Sequence, residues 1–252
     1  MRDMNRRKFV YSAAGVAGMT LLGHPEGFDN QSKQIKLKGK ESSGIKHWDI
    51  ITIGNLSRNR YWGESDEKPL RNAICTCTVI SGEKFHLLVD PSLEEAKAMA
   101  TELDRRTGLS VDEIDTVFLT HQHGDHLYGL KHFTKARWFA GTEVAAAINK
   151  SGKYEKQVEP AGKLLSGEID VIPMFGHTAD SFGLRFDHHG YSVVIAGDAV
   201  ATKDYWDDRQ MYYNVIDMKE SEKTFDMIRS VADIIVPAGI NVPFRTETLT
   251  SS

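Results

Sequence analysis

The stretch FLTHQHGDHLYG, residues 118–129, places three histidines and an aspartate between His121 and His126. The whole chain has only ten histidines in 252 residues. His121 and His123 are two positions apart, and residues at i and i+2 of an extended segment point to the same side. Two neutral imidazoles on one side suit a divalent cation, zinc first, with iron or manganese as alternatives. The spacing therefore predicts a metal site.

Four other residues extend this prediction. Asp125 and His126 fall in the turn after the first two histidines and are predicted to reach a second position beside the first. His177 follows the strand-like run IDVIPM, and Asp198 ends the run YSVVIAGD. Each would be a polar group held rigidly at a strand end. Considered alone, His177 also fits a structural histidine, and Asp198 also fits a turn residue.

Apolar and β-branched runs in the sequence predict the strands that would position these groups. They predict strands at WDIITIG, AICTCTVI, FHLLVD, DTVFLT, ARWFAG, IDVIPM, FGLRFD, YSVVIAGD and ADIIVP. Helical spacing predicts helices over residues 91–108, with Ser92 as N-cap, and over 142–150 and 219–231. Strands that come in runs, with helices between and outside them, indicate two mixed sheets packed together and covered by helices. A doubly wound parallel sheet fits this order less well.

The composition limits the classes of partner that are expected. The net charge is −4, with lysine and arginine scattered along the chain, so no basic stripe offers itself to a run of phosphates and no nucleic acid is expected. Cys75 and Cys77 stand two apart in AICTCTVI, a poor geometry for a disulfide. We interpret them as buried free thiols, with a metal site or a redox pair as the alternatives.

The amino terminus predicts export. Arg6, Arg7 and Lys8 precede an apolar stretch, residues 9–22, in the order typical of a signal segment. NRRKFV resembles the twin-arginine export motif. The apolar stretch is shorter than the roughly 20 residues that span a bilayer as a helix, so only this segment is expected to contact the membrane. A basic amino-terminal helix or tail is the alternative.

The series THQHGDH, GHT and AGD resembles the metallo-β-lactamase superfamily, from about Trp48 to Arg245. The resemblance implies an α/β fold, a four-layer αββα sandwich of two mixed β-sheets, and a metal-dependent hydrolase. The later YWDD and ADIIVP are similar to the branch around metallo-β-lactamase domain-containing protein 1. The implied ligands fall into two sets joined by one bridging residue: His121, His123 and His177 for the first metal, Asp125 and His126 for the second, and Asp198 between them.

The chain departs from the family pattern at one place. The family ends its ligand series with a histidine in a PGH turn, whereas this chain reads VPAGINVPF and has no histidine after His189. Ile240 stands at the matching position and cannot bind a metal, and Asn241 offers only a weak oxygen. One zinc ion, or a second one held weakly, is therefore an alternative to a full pair.

Three segments follow from these observations. Residues 1–24 are assigned to a twin-arginine-type signal, 25–46 to a polar tether, and 47–252 to the metallo-β-lactamase-like domain. The expected location is the periplasm or another compartment outside the cytoplasm, with membrane anchoring if the signal is not cleaved. The expected partners are the twin-arginine export machinery and a small-molecule substrate.

The predicted chemistry is hydrolysis. A metal with three imidazole ligands and an open position lowers the pKa of bound water from about 15.7 to about 7, so that hydroxide forms at neutral pH. Asp125 is the predicted catalytic residue, which orients the hydroxide or passes a proton to the leaving group. The expected substrate is a small ester, lactone or amide, because export makes cytosolic thioesters and RNA precursors poor candidates.

Two other functions remain open. A mononuclear iron dioxygenase acting on sulfur compounds would use His121, His177 and Asp198 and would tolerate the missing histidine. A non-catalytic metal-binding domain would tolerate it too, although the other ligands are intact. The aromatic residues near the site are expected to pack in the core, with stacking on substrate as the alternative: Trp62, Tyr205, Trp206 and Tyr212. His188 and His189 are expected in a solvated hairpin turn.

Overall fold

The computed structural model describes residues 44–213, 215–239 and 243–246. The predicted signal segment 1–24 and most of the tether 25–46 lie outside the described residues, as do Ile240 and Asn241. Among the residues that are described, no helix has the length and apolar character needed to cross a membrane.

The first half of the described chain forms a mixed sheet. Its antiparallel part joins β1, β2 and β3, and its parallel part continues from β3 through β4 and β5 to β6. The strands, in their order across the sheet, are β1 (Ile45–Thr52), β2 (Cys77–Gly82), β3 (His86–Val89), β4 (Thr116–Leu119), β5 (Arg137–Ala140) and β6 (Val158–Pro160).

The second half forms another mixed sheet. Only its β10–β11 pair is parallel among the described strands, and the other neighbours are antiparallel. The strands lie in the order β12, β11, β10, β9, β8, β7. They are β7 (Leu164–Leu165), β8 (Ile169–Pro173), β9 (Phe182–His188), β10 (Tyr191–Ile195), β11 (Ile234–Val236) and β12 (Phe244–Arg245).

Helices cover both sheets. They are α1 (Ala96–Thr107), α2 (Gly124–Leu127), α3 (Thr142–Lys150), α4 (Lys203–Asp207) and α5 (Met218–Val231). The α5 helix begins after Asp217, whose carboxylate accepts hydrogen bonds from the amides of Lys219 and Glu220 at its first turn. The prediction of Ser92 as the N-cap of the first helix is wrong. That helix begins at Ala96, and the Ser92 hydroxyl lies 2.7 Å from that of Thr52 on β1 instead.

Alternation along the strands builds the layers. Leu87 on β3 and Phe118 on β4 face the second sheet and pack with an apolar set that includes Leu184 on β9. Leu88 and Val117 point the opposite way and pack against α1 and α3. Each fully buried side chain of this kind contributes about 1.5–3 kcal/mol.

The second sheet has its own outer layer. Val194 on β10 and Ile235 on β11 pack against Phe225 and Ile228 of α5 and Trp206 of α4. The order is therefore helices, sheet, sheet, helices, and the predicted αββα sandwich of two mixed sheets is confirmed.

The largest differences from the predicted strand starts are in β1 and β2. β1 begins at Ile45, ahead of Trp48, and β2 begins at Cys77 and not at Ala73. Ahead of β2 the chain makes only an isolated bridge between Ile74 and Asn55. Cys75 thus lies before the strand.

Candidate metal centre

The ends of strands from both sheets converge at one edge of the sandwich. His121 and His123 follow β4 of the first sheet, and His126 lies in α2 just beyond them. The second sheet contributes His177 from the loop between β8 and β9, and Asp198 from the short 3₁₀ turn after β10. The site is therefore assembled from both halves of the chain.

The first cluster consists of His121, His123, His177 and Asp198. One donor atom from each lies within 4.8 Å of every other. His177 Nε2 is 3.1 Å from His123 Nδ1 and 3.2 Å from Asp198 Oδ2, and His121 Nε2 is 3.8 Å from the same oxygen. Three imidazoles and one carboxylate thus face one point, and these are the residues that the resemblance implies for the first metal and its bridging ligand.

This cluster suits a cation. His121 is fully buried, and its Nε2 has no hydrogen-bond partner. Burial lowers the pKa of His121 well below its usual range and moves the pKa of His123 in the same direction. Both rings are therefore neutral at pH 7, the form that binds a metal. An unpartnered buried nitrogen is costly unless something binds it, and the donor set is one that zinc accepts.

Asp198 faces two clusters at once. Its Oδ2 points toward the first cluster, while Oδ1 lies 3.2 Å from His126 Nε2. Asp125 Oδ2 is 3.9 Å from the same ring nitrogen. We call Asp125, His126 and Asp198 the second cluster. Asp198 thus lies between the two positions, where the resemblance to the metallo-β-lactamase superfamily would place a bridging ligand.

The second cluster carries charge. Burial alone would lower the pKa of His126, but Cys75, Asp90 and Asp198 face the ring and raise that pKa well above its usual value. Burial likewise opposes ionisation of Asp198, yet His126 and His177 hold its pKa well below the usual range. His126 Nε2 and Asp198 Oδ1, which lie 3.2 Å apart, therefore each favour the charged form of the other.

Asp90 is a site residue that the sequence analysis did not identify. It follows β3 and is buried, and its carboxylate lies 2.8 Å from His126 Nδ1. The same carboxylate accepts hydrogen bonds from the amide and hydroxyl of Thr120. A carboxylate on the outer nitrogen of a histidine fixes its tautomer and orientation. The signal was present in the sequence, since Asp90 ends FHLLVD as Asp198 ends YSVVIAGD.

Cys75 lies beside His126 of the second cluster. Its sulfur, a carboxylate oxygen of Asp90 and a ring nitrogen of His126 lie within 4.8 Å of one another. Burial raises the pKa of the Cys75 thiol to about 12. Both cysteines are buried and free, as predicted. The structure separates them, however, because Cys77 packs in the apolar layer under α1 and α3.

The aromatic residues proposed near the site divide into two groups. Tyr205, Trp206 and Tyr212 are buried, which confirms the packing interpretation for them. Trp62 is 46 % exposed, with the Arg71 guanidinium 5.7 Å from its ring. His188 and His189 lie at the β9–β10 turn with their rings 4.1 Å apart, outside both clusters, as expected.

The sequence and the fold of this chain both resemble those of known proteins. The family profile of the metallo-beta-lactamase superfamily matches residues 70–239. Metallo-beta-lactamase domain-containing protein 1 of Xenopus laevis is 27 % identical over 176 residues, covering 67 % of this chain and 71 % of that protein. Ribonuclease Z of Listeria welshimeri is 26 % identical over 89 residues. That match covers 35 % of this chain and only 28 % of the relative's length.

Solved structures share the fold. A variant of AiiA from B. thuringiensis, with N-decanoyl-L-homoserine bound at its active site, superposes with a TM-score of 0.61 at 16 % identity, covering 79 % of this chain and 95 % of that one. AidC, a dizinc quorum-quenching lactonase, gives a TM-score of 0.53 at 13 % identity, covering 63 % and 68 %. With the family profile spanning most of the sandwich and both clusters lying inside it, the chain belongs to the metallo-β-lactamase superfamily.

Proposed function

We propose that this protein is a metal-dependent hydrolase. The observation that carries the proposal is the first cluster, where three imidazoles and the Asp198 carboxylate face one point and a buried His121 nitrogen has no protein partner. His121, His123 and His177 would hold the first metal, Asp125 and His126 the second, with Asp198 between them. Zinc fits this donor set best, with iron or manganese as alternatives.

A bound divalent metal supplies a Lewis acid and lowers the pKa of water to about 7. The chain supplies the positioning. Asp90 holds the His126 ring through Nδ1 and leaves Nε2 facing the site. Thr120 adds hydroxyl contacts of 3.2 Å to the Nδ1 atoms of both His121 and His126. These contacts fix the ring orientations before any ligand arrives, which limits reorganisation during the reaction.

Asp125 is the proposed proton carrier. It lies at the start of α2, and its side chain is 18 % exposed while that of His126 is fully buried. Burial raises the pKa of Asp125 above its usual value. A carboxylate that is open to the site can accept a proton from water and pass it to a leaving group.

The proposed substrate is a small ester, lactone or amide. The fold is shared with AidC, a lactonase, and with the AiiA variant that holds an acyl homoserine. The twin-arginine-like start of the chain supports a site outside the cytoplasm, where small molecules of this kind are available. The ribonuclease Z match covers too little of that protein to favour RNA, and a chain with a net charge of −4 has no overall attraction for phosphates.

Metal content and a substrate panel test the proposal together. Protein purified from cytoplasmic expression is analysed for bound metal and assayed with lactones, simple esters and β-lactams. Zinc at about one or two ions per chain with turnover of a lactone or ester is the expected result. One iron with oxygen consumption on a persulfide would replace the hydrolase by the dioxygenase. A chain that binds no metal would leave only a binding role.

The role of Asp125 has its own test. Asp125→Asn keeps the shape of the side chain but removes its proton-carrying group, so kcat is expected to fall by about 10²–10⁴. Asp104→Asn, at an exposed position of α1, is the matched control and should keep full activity. Full activity and full metal content in Asp125→Asn would rule out the proposed role.

Location outside the cytoplasm is also a proposal. The double variant Arg6→Lys, Arg7→Lys keeps the charge of the amino terminus but alters the arginine pair that the twin-arginine machinery would recognise. Fractionation of cells should find the unaltered chain outside the cytoplasm and the variant inside. Equal export of both would contradict the proposed route.

A further inference from the structure

A thiol lies beside the second cluster, where the sequence lacks an expected ligand. Cys75 is 1 % exposed, and its sulfur is within 4.8 Å of donor atoms of both Asp90 and His126. We propose that Cys75 is a ligand of the second metal position, in place of the histidine that the chain lacks at position 240. The inference rests on the proposed metal centre and names one more of its ligands.

The segment that carries Cys75 lies against the segment that precedes position 240. The Thr76 amide donates to the Ala238 carbonyl at 2.8 Å. The Thr76 hydroxyl lies 3.0 Å from the same carbonyl and 3.4 Å from that of Gly239. Gly54 allows this approach, because a Cβ there would lie 1.8 Å from the Ala238 oxygen. The residue after Cys75 thus contacts the described segment that ends at Gly239.

The present contacts of the sulfur are weak and close to the site. Cys75 Sγ lies 3.3 Å from the carbonyl oxygen of Asp125 and 3.6 Å from that of Asp90. A thiol is a weak hydrogen-bond donor, so little is lost when these contacts are given up. On metal binding the S–H bond breaks, its proton passes to solvent, and a sulfur lone pair binds the cation. No oxidation or reduction is involved.

The proposed ligand changes the chemistry of the second position. His126, Asp125 and Asp198 alone offer one imidazole and two carboxylates, a set that suits manganese or iron as well as zinc. A thiolate adds a soft ligand and shifts the preference toward zinc. Cys75 would then complete a mixed set of nitrogen, oxygen and sulfur donors, whereas the first cluster offers only nitrogen and oxygen.

The chain provides a matched control two residues away. Cys77 is also a buried free cysteine. Its side chain packs with Val79, Leu88 and other members of the apolar layer beneath α1 and α3. Cys77→Ala therefore removes a buried thiol without touching either cluster.

Cobalt titration tests the inference without any substrate. Metal-free full-length protein is titrated with Co²⁺, which gives an intense near-ultraviolet sulfur-to-metal band only when a thiolate is bound. Unaltered protein and Cys77→Ala should develop the band with the second equivalent. Cys75→Ser should lose it and bind the second equivalent at least about tenfold more weakly, while the first equivalent binds as before. Circular dichroism checks that each variant is folded.

The spectrum of the unaltered protein decides the question if Cys75→Ser does not fold. Two bound equivalents without a sulfur band would overturn the role of Cys75 and leave the metal centre intact. A single equivalent without the band, or a band that persists in Cys75→Ser, would overturn it as well. Failure to bind even the first equivalent would overturn the proposed metal centre and this inference together.

Discussion

The two clusters share Asp198 but differ in charge. In the first, burial keeps His121 and His123 neutral, and a buried nitrogen already faces the site without a partner. In the second, Asp90 and Asp198 face the two ring nitrogens of His126 and raise its pKa. A cation can enter the first cluster without displacing a proton from these rings. In the second it must replace the proton on His126, so its affinity there falls more steeply as the pH is lowered.

The difference suggests an order of loading. In the first cluster His121 Nε2 has no hydrogen-bond partner, whereas in the second His126 Nε2 already lies 3.2 Å from Asp198 Oδ1. The contrast indicates that buried histidines of the same short stretch differ in pKa because of their surroundings. Burial and the neighbouring His126 lower the pKa of His121, whereas the carboxylates of Asp90 and Asp198 raise that of His126.

The largest effect is expected from His121→Ala. The change removes an imidazole from the first cluster, and a catalytic metal contributes several kcal/mol to stabilisation of the transition state. We expect loss of the first metal and a fall in kcat/KM of at least about 10³-fold. Metal analysis after dialysis and assays on the hydrolysed substrate measure both. A variant that keeps its metal would show that the first cluster is not the primary position.

Asp90→Asn should act mainly on the second cluster. Asparagine tolerates the left-handed backbone of residue 90, where φ is 52°, but it cannot hold His126 as the carboxylate does. The loss of such an outer partner lowers metal affinity by about 10–100-fold. Competition with a chelator should show this loss for the second equivalent, with a smaller change for the first.

The control for that variant is Asp115→Asn. Asp115 accepts hydrogen bonds from the His86 amide and the Thr116 hydroxyl at the opposite end of β4. It should leave both metal affinities unchanged. Equal weakening of the two positions by Asp90→Asn would contradict the division into separately tuned clusters.

Gly197→Ala should disturb both clusters together. Residue 197 has φ of +50°, and an added Cβ would lie 2.7 Å from the Thr120 hydroxyl, which contacts His121 and His126. Crowding of this kind costs about 1–3 kcal/mol in the free energy of unfolding. Denaturant unfolding and metal titration should both change. Gly152→Ala, also at positive φ but with no atom within 4 Å of the new Cβ, should lower stability without altering metal affinity.

The smallest effect is expected from His188→Ser combined with His189→Asn. These two rings are close to each other but outside both clusters. Asparagine suits the positive φ of residue 189. The free energy of unfolding should stay within about 0.5 kcal/mol of the unaltered value, and bound metal should not change. A drop in metal content would mean that a histidine pair on the surface also binds it.

Much of the site could be predicted from the sequence because strand ends mark it. His121, His123, Asp125 and His126 follow one buried strand, and the period of two along an extended segment places the first pair on one side. The two mixed sheets followed from the order of the apolar runs. These are local signals, readable over fewer than about ten residues.

The positions of Asp90 and Cys75 at the site could be recognised only from the tertiary structure. Asp90 acts on Thr120 and His126, about thirty residues away, through a turn with positive φ. Cys75 reaches the site because Thr76 pairs with Ala238, a contact across 162 positions. The late start of the first helix had a similar cause, since the Ser92 hydroxyl bonds to Thr52 on β1 instead of capping the helix. The spacing of residues along the sequence does not predict such long-range contacts.

The convergence of strand ends from both sheets also has a mechanical consequence. A cation held by His121 of the first sheet and by His177 and Asp198 of the second would act as a cross-link between the two halves of the sandwich. Because it binds only the folded arrangement, its binding free energy adds to stability by RT ln(1 + [metal]/Kd), about 2.7 kcal/mol at a hundredfold excess over Kd. Metal supply would then affect the stability of the folded protein as well as its chemistry.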